Sequence, residues 1–393
     1  MSQARGDFGD VLKRAEALVP VWRERAAHTD ALRALPAETV AEIKESGVAR
    51  IFQPARFGGC EAPLEAMVHV LSTLARGCAS SAWVTAQHAS HNLLIALWPE
   101  AAQRRIWERD PTVLVSGSLA AASGWGRRVP GGYMIGGRWP WASGVTTCDW
   151  GIVAASTDDG QNRVGIRHYL LPRAEFEVID VWHAMGLRGT ASNDIAIAEA
   201  FVPEAMTLPI DQMKGGDAPG TALNTALLYR TPSYMMFGVI QGSVCVGIAE
   251  AALERYLTHA RGRVALMSSQ RVTDYPTQQA KVAEAAASLA AAKASLLSIC
   301  REVTDLIANG ALPSAEQRAM YRTQAALAGR LAAQTVNALW DAGGGAGVLD
   351  ANPMSRLFRD MSAAQRHFTM NWDVNAITYG RLLLGLPSDS AVL

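Results

Sequence analysis

The side chains of this sequence that could carry acid–base or metal chemistry are few and scattered. Imidazole ionises near neutral pH, so each of the eight histidines is a candidate general base, although a lone histidine is more often a packed structural residue. The five cysteines are an odd number and include no Cys-x-x-Cys pair. We therefore expect neither a disulfide framework nor a metal site, and interpret the cysteines as small buried residues in a reducing compartment.

Sequence motifs and charge exclude several classes of function. The chain has no Gly-x-Gly-x-x-Gly in a βαβ unit and no P-loop, so no nicotinamide dinucleotide site is predicted. Its 36 basic and 36 acidic side chains cancel and form no basic stripe, which argues against a nucleic-acid partner. No run of about 18 uncharged apolar residues is present, and the segment MSQARGDFGD has no apolar signal core. We expect a soluble, cytoplasmic protein with no membrane partner.

The sequence divides into three blocks that differ in the spacing of their apolar residues, and the elements they form must position any active residues. Asp10 to Asp110 has helical periodicity, and Thr112 to Val202 has short alternating runs separated by turn residues. Helical periodicity then continues to Leu384, with long amphipathic stretches at Gln279–Asn309, Ser314–Asp341 and Pro353–Leu384. The expected domains are a helical domain at 1–111, a β-domain at 112–210 and a helical bundle at 221–393. Such Ala-rich helices often extend into a subunit interface.

Several separated segments together resemble the acyl-CoA dehydrogenase superfamily. Met185–Asp194 (MGLRGTASND) and Ala200–Glu204 are similar to the end of its β-domain. Asp341–Gly347 and Pro353–Asp360 are similar to the glycine turn and Arg-Asp signature of its C-terminal bundle. The resemblance implies an α+β fold with an N-terminal helical domain, a central β-barrel-like domain and a C-terminal four-helix bundle. It also implies a flavin between the β-domain and the bundle.

The position of the dehydrogenase base is occupied by a different residue type. In that superfamily a glutamate commonly follows the Arg-Asp signature by about eight residues and removes the α-proton of an acyl thioester. Counting from Arg359-Asp360 places His367 or Phe368 there, with no glutamate nearby. Desaturation would lack its general base.

Other segments resemble the oxygenase components of two-component flavin monooxygenases, which include phenol hydroxylases of the same fold. These segments are Arg76–Val84, Val115–Leu119, Gly137–Gly144 and Gly380–Leu386, together with His91 and His367. The resemblance implies that reduced flavin and O2 hydroxylate a small aromatic substrate through a C4a-hydroperoxyflavin. Because no nicotinamide motif is present, a separate NAD(P)H:flavin reductase would supply the reduced flavin.

The resemblance also assigns roles to individual residues. Ser143 would hydrogen-bond near flavin N5, as the donor that guards this atom, and protect the oxygen adduct, and Ser118 would face the same ring. His91 and His367 would deprotonate or orient a phenolic hydroxyl, since oxygen transfer to a phenolate is faster. The expected catalytic residues are therefore His91, Ser143 and His367.

The expected cofactor-binding residues are Trp83, Ser116, Gly117, Ser118, Trp141, Ala142, Ser143, Arg263, Gly344 and Gly345. The remaining histidines are interpreted as structural: His28, His69, His88, His168, His183 and His259.

The phosphate tail of the flavin would meet an arginine. His259–Arg263 resembles the helix end where the superfamily places this arginine, commonly on a neighbouring subunit, and guanidinium can bind phosphate through two hydrogen bonds. Leu266 and Met267 replace the usual Phe-Gly, which favours reduced FMN over FAD while leaving FAD possible. The long bundle helices predict a homotetramer.

Four alternatives remain at this point. N-oxygenation of an amino sugar and oxygenation of an indole would keep the fold and change the substrate. An acyl-CoA dehydrogenase-type desaturase would need a base elsewhere, and a helical scaffold without flavin would leave Ser143 and Arg263 unexplained.

Overall fold

The chain is described here by a computed structural model that covers residues 8–158, 164–265, 269–388 and 390. Leu266 and Met267, on which the FMN preference depends, and the first seven residues lie outside the described part. The N-terminal part contains five helices: α1 (Gly9–Leu32), α2 (Ala37–Ser46), α3 (Glu65–Ala75), α4 (Ala79–Ile95) and α5 (Glu100–Trp107).

Helices α1 and α4 differ in how much of their surface is buried. In α1 the buried side chains recur every three or four residues, as in an amphipathic surface helix. In α4 every residue except Gln87 is buried. A helix buried on all sides lies inside the molecule, so α4 can contribute side chains to more than one neighbouring unit.

The central part is a mixed β-sheet. Its strands are β1 (Val115–Ser118), β2 (Gly124–Val129), β3 (Gly132–Ala142), β4 (Trp150–Asp158), β5 (Val164–Pro172), β6 (Glu177–Ile179), β7 (Asn193–Pro203) and β8 (Thr207–Pro209). The order is β6-β7-β3-β2-β4-β5-β8, and β1 pairs in parallel with β4. Gly124 allows β2 to approach β3 closely, since a Cβ there would lie 1.9 Å from the Trp139 ring.

The C-terminal part is a group of packed helices. Its members are α6 (Ser233–Arg261), α7 (Pro276–Ala308), α8 (Ala315–Gly343), α9 (Pro353–Ala364) and α10 (Trp372–Leu383). The amphipathic stretch predicted at Pro353–Leu384 is two helices with a break at His367. Helix α9 ends at Ala364, and the side chains of His367 and Asn371 then accept hydrogen bonds from backbone N–H groups, which starts a short 3-10 turn at Phe368–Met370 and then α10. The predicted helix–sheet–helix order of the superfamily is confirmed.

Two helices in the described part, α6 and α7, are long and apolar enough to cross a membrane, judged by length and composition only. Helix α6 is 89% buried over its apolar window and forms the core of the bundle. Helix α7 is 28% buried over its window. Core and interface helices of water-soluble proteins also have this composition.

Candidate functional site

Helix α4 brings the three parts of the chain together at one place. Its Val84 and His88 pack on Gly144, just beyond the end of β3. Gly144 has φ +75°, and a Cβ there would lie 2.7 Å from Val84 Cγ1, so glycine is required on both counts. Trp83 makes an edge-on contact with the ring of His367, with ring centroids 5.4 Å apart. Side chains of the N-terminal helices, the sheet and the bundle therefore meet here.

His88 and His91 lie on the face of α4 that meets β1. The Nδ1 atoms of both rings lie within hydrogen-bond distance of one carbonyl oxygen, that of Val115, at 2.9 Å and 2.7 Å. A carbonyl only accepts, so Nδ1 carries the proton in both rings and each Nε2 has a free lone pair. Burial lowers the pKa of each ring to about 4. Both histidines are therefore neutral hydrogen-bond acceptors at Nε2 at neutral pH.

His367 has the opposite tautomer. Its Nδ1 accepts from the backbone N–H of Thr369 at 3.4 Å and lies 2.8 Å from the Thr369 hydroxyl. The proton of the neutral ring is then on Nε2, and burial lowers the pKa of this ring to about 4. His367 is therefore a neutral donor, whereas His91 is a neutral acceptor.

Ser143 is held on both its backbone and its side chain. The Ser116 hydroxyl donates to the carbonyl of Ser143 at 2.7 Å. The Ser143 hydroxyl lies 2.8 Å from that of Ser192, which lies 2.7 Å from that of Thr190. The backbone N–H of Gly144 donates to the Thr190 carbonyl at 2.8 Å, so the two segments are also joined through the main chain.

The loop before β7 is fixed by helix α9. The buried carboxylate of Asp360 accepts from the backbone N–H of Leu187 at 2.7 Å, and Arg359 donates to the carbonyl of Met185 at 2.7 Å. Burial raises the pKa of Asp360 to about 6. A Cβ on Gly186 would lie 1.9 Å from the Arg359 carbonyl oxygen. The Arg-Asp pair of the bundle thus positions the loop that carries Thr190 and Ser192.

Trp141 stands beside this cluster in an unusual conformation. Its φ is +62°, and 67% of the residue is exposed. Its backbone N–H lies 3.4 Å from the carboxylate of Asp194, which also accepts from Arg138 at 2.8 Å. Positive φ at a bulky residue costs energy and occurs preferentially at binding sites. An exposed indole held in this way is suited to contact a flat ligand.

A second cluster joins Arg263 to the glycine turn. Arg263 donates to the carbonyls of Ala342 and Gly343, at 3.3 Å and 2.7 Å. Gly344 has φ +71°, and a Cβ there would lie 2.5 Å from Arg263 Nη2. A cavity of about 690 Å³ opens beside this turn and is lined by residues that include His259 and Trp340. Among the described residues, no hydrogen bond, ion pair or ring contact links this cluster to Ser143 or His367.

The structure thus groups the expected site residues into two clusters. One cluster surrounds α4 and contains Trp83, His91, Ser116, Gly117, Ser118, Trp141, Ala142, Ser143 and His367. The other lies at the glycine turn and contains Arg263, Gly344 and Gly345. Sequence reasoning missed His88, Thr190 and Ser192. The spacing of His88 and His91 on one helix face is a signal that could have identified the first. The two hydroxyl residues were interpreted only as part of a family segment.

The cluster around α4 is chemically simple. His88, His91 and His367 are neutral, Ser143 offers a hydroxyl, and the nearby Asp360 carboxylate is committed to the Leu187 N–H. The buried Nε2 atom of His88 has no hydrogen-bond partner among the described residues. Such a site can orient polar groups of a ligand while keeping water out, and no carboxylate among its described residues is placed to serve as a strong base.

Comparisons with known proteins relate both helical parts of the chain, and the chain as a whole, to one family. Residues 15–110 match the acyl-CoA dehydrogenase N-terminal domain and residues 239–372 match its C-terminal domain. A flavin-dependent monooxygenase oxygenase subunit, HsaA from Mycobacterium tuberculosis, is 31% identical over 97% of both chains. The oxygenase component of an FADH(2)-dependent resorcinol hydroxylase from Rhizobium sp. is 31% identical over 95% of this chain and 93% of its own.

A solved structure gives the same relationship. XiaF from Streptomyces sp., in complex with FADH2 and glycerol, superposes with a TM-score of 0.90 at 27% identity, covering 98% of this chain and 97% of that one.

Proposed function

This chain belongs to the acyl-CoA dehydrogenase family and, within it, to the oxygenase subunits of flavin-dependent monooxygenases. From that premise we propose that it uses reduced flavin and O2 to hydroxylate a small aromatic compound that carries a phenolic or similar group. The observation that carries the proposal is a site that holds the buried Ser143 hydroxyl and the neutral rings of His91 and His367, with no carboxylate among its described residues placed as a base.

Features of both clusters fit a flavin. Trp141 offers an exposed, strained indole, and the buried Nε2 of His88 has no partner in the described chain. Gly344 leaves the space that the Arg263 guanidinium occupies. We assign the ring to Trp83, Trp141, Ala142, Ser143 and the β1 residues Ser116, Gly117 and Ser118, and the phosphate to Arg263, Gly344 and Gly345. Reduced flavin, when bound, supplies the electrons that activate O2 for transfer to the substrate.

The tautomers separate the roles of the two catalytic histidines. His91 presents an acceptor and would take a hydrogen bond from the substrate hydroxyl, increasing its phenolate character. His367 presents Nε2–H and would donate to an oxygen atom in the site. His91 is therefore our choice for the base.

Assembly and partners complete the proposal. Arg263 is separate from the Ser143 cluster within one chain, which supports its action toward the site of a neighbouring subunit in a homotetramer. Because the sequence has no nicotinamide motif, an NAD(P)H:flavin reductase would supply the flavin. We retain the division at 1–111, 112–210 and 221–393, and a soluble cytoplasmic protein, as parts of the same proposal. The preference for FMN stays a prediction, and the FADH2-named relatives make FAD an equal probe.

A rapid-mixing experiment tests the function directly. Protein loaded anaerobically with photoreduced FMN or FAD is mixed with aerated buffer and a panel of phenols and indoles. We expect a transient near-ultraviolet absorbance and, with a suitable phenol, one oxygen atom incorporated from 18O2. NADH alone should not be consumed. In a separate arm with oxidised flavin and an acyl thioester, desaturation of the thioester with reduction of the flavin, and no oxygen incorporated into any phenol, would instead identify a dehydrogenase.

A further inference from the structure

Three hydroxyl groups form an unbroken chain that ends at a carbonyl. The Ser143 hydroxyl lies 2.8 Å from that of Ser192, and the latter lies 2.7 Å from that of Thr190. The Thr190 hydroxyl donates to the carbonyl of Leu187 at 2.8 Å. Ser143, Ser192 and Thr190 are each less than 10% exposed, at 7%, 3% and 1%, so bulk water competes little for these bonds.

The carbonyl at the end of the hydroxyl chain determines the direction in which each hydroxyl donates its proton. The Leu187 carbonyl, which also accepts from the Trp182 indole, has no proton to give, so Thr190 must donate to it. Each hydroxyl has one proton. Ser192 must then donate to Thr190, and Ser143 must donate to Ser192. The Ser143 oxygen is left with lone pairs only for any ligand placed against it.

We propose that Thr190 and Ser192 are positioning residues that make Ser143 a hydrogen-bond acceptor and thereby favour reduced over oxidised flavin at this site. The inference rests on the proposed function. N5 of an oxidised flavin is an acceptor, whereas N5 of a reduced flavin carries a hydrogen. An acceptor on the protein therefore complements only the reduced state, and two acceptors would face each other in the oxidised state. The sequence alone had suggested a serine that donates toward N5, and the hydroxyl chain reverses this direction.

The bonds that fix the loop at 185–192 also fix the end of the hydroxyl chain. Asp360 holds the Leu187 N–H at 2.7 Å, and Arg359 holds the Met185 carbonyl at 2.7 Å. Both bonds fix the carbonyl that terminates the hydroxyl chain. An oxygenase that receives its flavin by diffusion benefits from such discrimination, because product flavin in the oxidised state leaves more readily.

Binding measurements on four variants test the proposal. Dissociation constants for oxidised FMN and for photoreduced FMN are measured anaerobically on the full-length protein, and their ratio is compared. Ser192→Ala and Thr190→Val free the Ser143 proton to point at the ligand, so we expect the preference for reduced FMN to fall about five- to tenfold. Thr190→Ser keeps a hydroxyl and should keep the parental ratio. Ser143→Ala removes the acceptor and gives the ratio without it.

A second measurement checks the same quantity independently. A tenfold loss of preference lowers the midpoint potential of the bound two-electron couple by about 30 mV. An unchanged ratio in both Ser192→Ala and Thr190→Val, with Ser143→Ala altered, overturns the proposal alone. A ratio lowered equally in Thr190→Ser also overturns it, because packing rather than the hydroxyl would then be responsible. If the parent binds neither form of FMN nor FAD, the proposed function fails as well. Should one variant not fold, the other decides.

Discussion

At the scale of single residues, hydrogen-bond partners rather than residue types set the chemistry of the site. His91 and His367 are the same side chain with similarly lowered pKa values, yet one faces a carbonyl and the other a backbone N–H. Their ring protons therefore lie on different nitrogens, and they offer a ligand opposite hydrogen-bonding groups.

Replacing either histidine should impair oxygen transfer without preventing flavin binding. In His91→Ala and His367→Ala we expect product formation to slow by about 100-fold or more, while the affinity for reduced flavin stays within about threefold, because in our proposal the rings act on substrate and not on the cofactor tail. Single-turnover product analysis and anaerobic titration measure the two quantities. His183→Ala, at an exposed position, is the control. Parental rates in both site variants would contradict the assignment.

The same pKa values predict that neither histidine makes the reaction rate depend on pH near neutrality. Both rings are neutral above about pH 4, so neither should produce a break near pH 6.5 in the single-turnover rate. A break near that value that disappears in His91→Ala would show that the ring titrates in the working range.

At the scale of elements, the loop before β7 depends on a close approach to α9. A methyl group on Gly186 would collide with the Arg359 carbonyl, 1.9 Å away. The loop would have to leave the helix, and the Leu187–Asp360 bond would be lost with it. Thr190 and Ser192 follow in the same segment, so a packing defect here reaches the site.

Gly186→Ala should therefore destabilise the protein and loosen the site together. We expect a loss of about 1–3 kcal/mol in the free energy of unfolding, from overpacking against backbone that cannot easily yield. The preference for reduced flavin should fall in parallel. Urea denaturation and flavin titration measure the two effects. Gly165→Ala is the matched control, since nothing lies within 4 Å of its Cβ position and we expect a change below about 0.5 kcal/mol.

At the scale of the whole molecule, the last helix leaves apolar side chains uncovered. Val374 is 51% exposed, Ile377 is 58% exposed and Leu383 is 58% exposed, and only 28% of the apolar window of α7 is buried. Exposed apolar side chains of this kind on packed helices are typical of a subunit interface.

Light scattering should accordingly give a mass near four times 42.0 kDa. The double variant Val374→Asp and Ile377→Asp should lower that mass, because each carboxylate would be buried without a partner in the interface. Val164→Asp, at an exposed valine in β5, should leave the mass unchanged. A monomeric parent at micromolar concentration would contradict both the tetramer and the action of Arg263 across an interface.

Stability should rise with pH in the mildly acidic range. Burial lowers the pKa of His88, His91 and His367 from 6.5 to about 4 and that of His168 to about 3. Between about pH 4 and 6.5 the unfolded chain thus binds more protons, so the free energy of unfolding increases with pH and levels off above 6.5.

Asp360 acts in the opposite direction, because its pKa is raised from 3.8 to about 6, but the four histidines outnumber it. Urea midpoints measured from pH 5 to pH 8 check the slope. His88→Gln should flatten it relative to the parent, and His183→Ala should not. Stability that falls as pH rises from 5 to 6.5 would contradict this balance.

The sequence by itself determined the fold class and the family. Periodicity located the helical and strand blocks, and the Met185–Asp194, Asp341–Gly347 and Pro353–Asp360 segments carried the resemblance that the comparisons confirm. These features are local or lie in fixed spacing along the chain, so they can be read without knowing which segments meet.

Only the tertiary structure decided how the site residues are oriented. The tautomers of His91 and His367 follow from Val115 and Thr369, and the polarity of Ser143 follows from the Leu187 carbonyl, 44 positions further along the chain. Periodicity also predicted an amphipathic stretch through Pro353–Leu384, where α9 ends at Ala364 and the N-caps at His367 and Asn371 start a short turn and then α10. Proton positions depend on which acceptor lies against a side chain, and that is fixed by packing between distant segments rather than by local sequence.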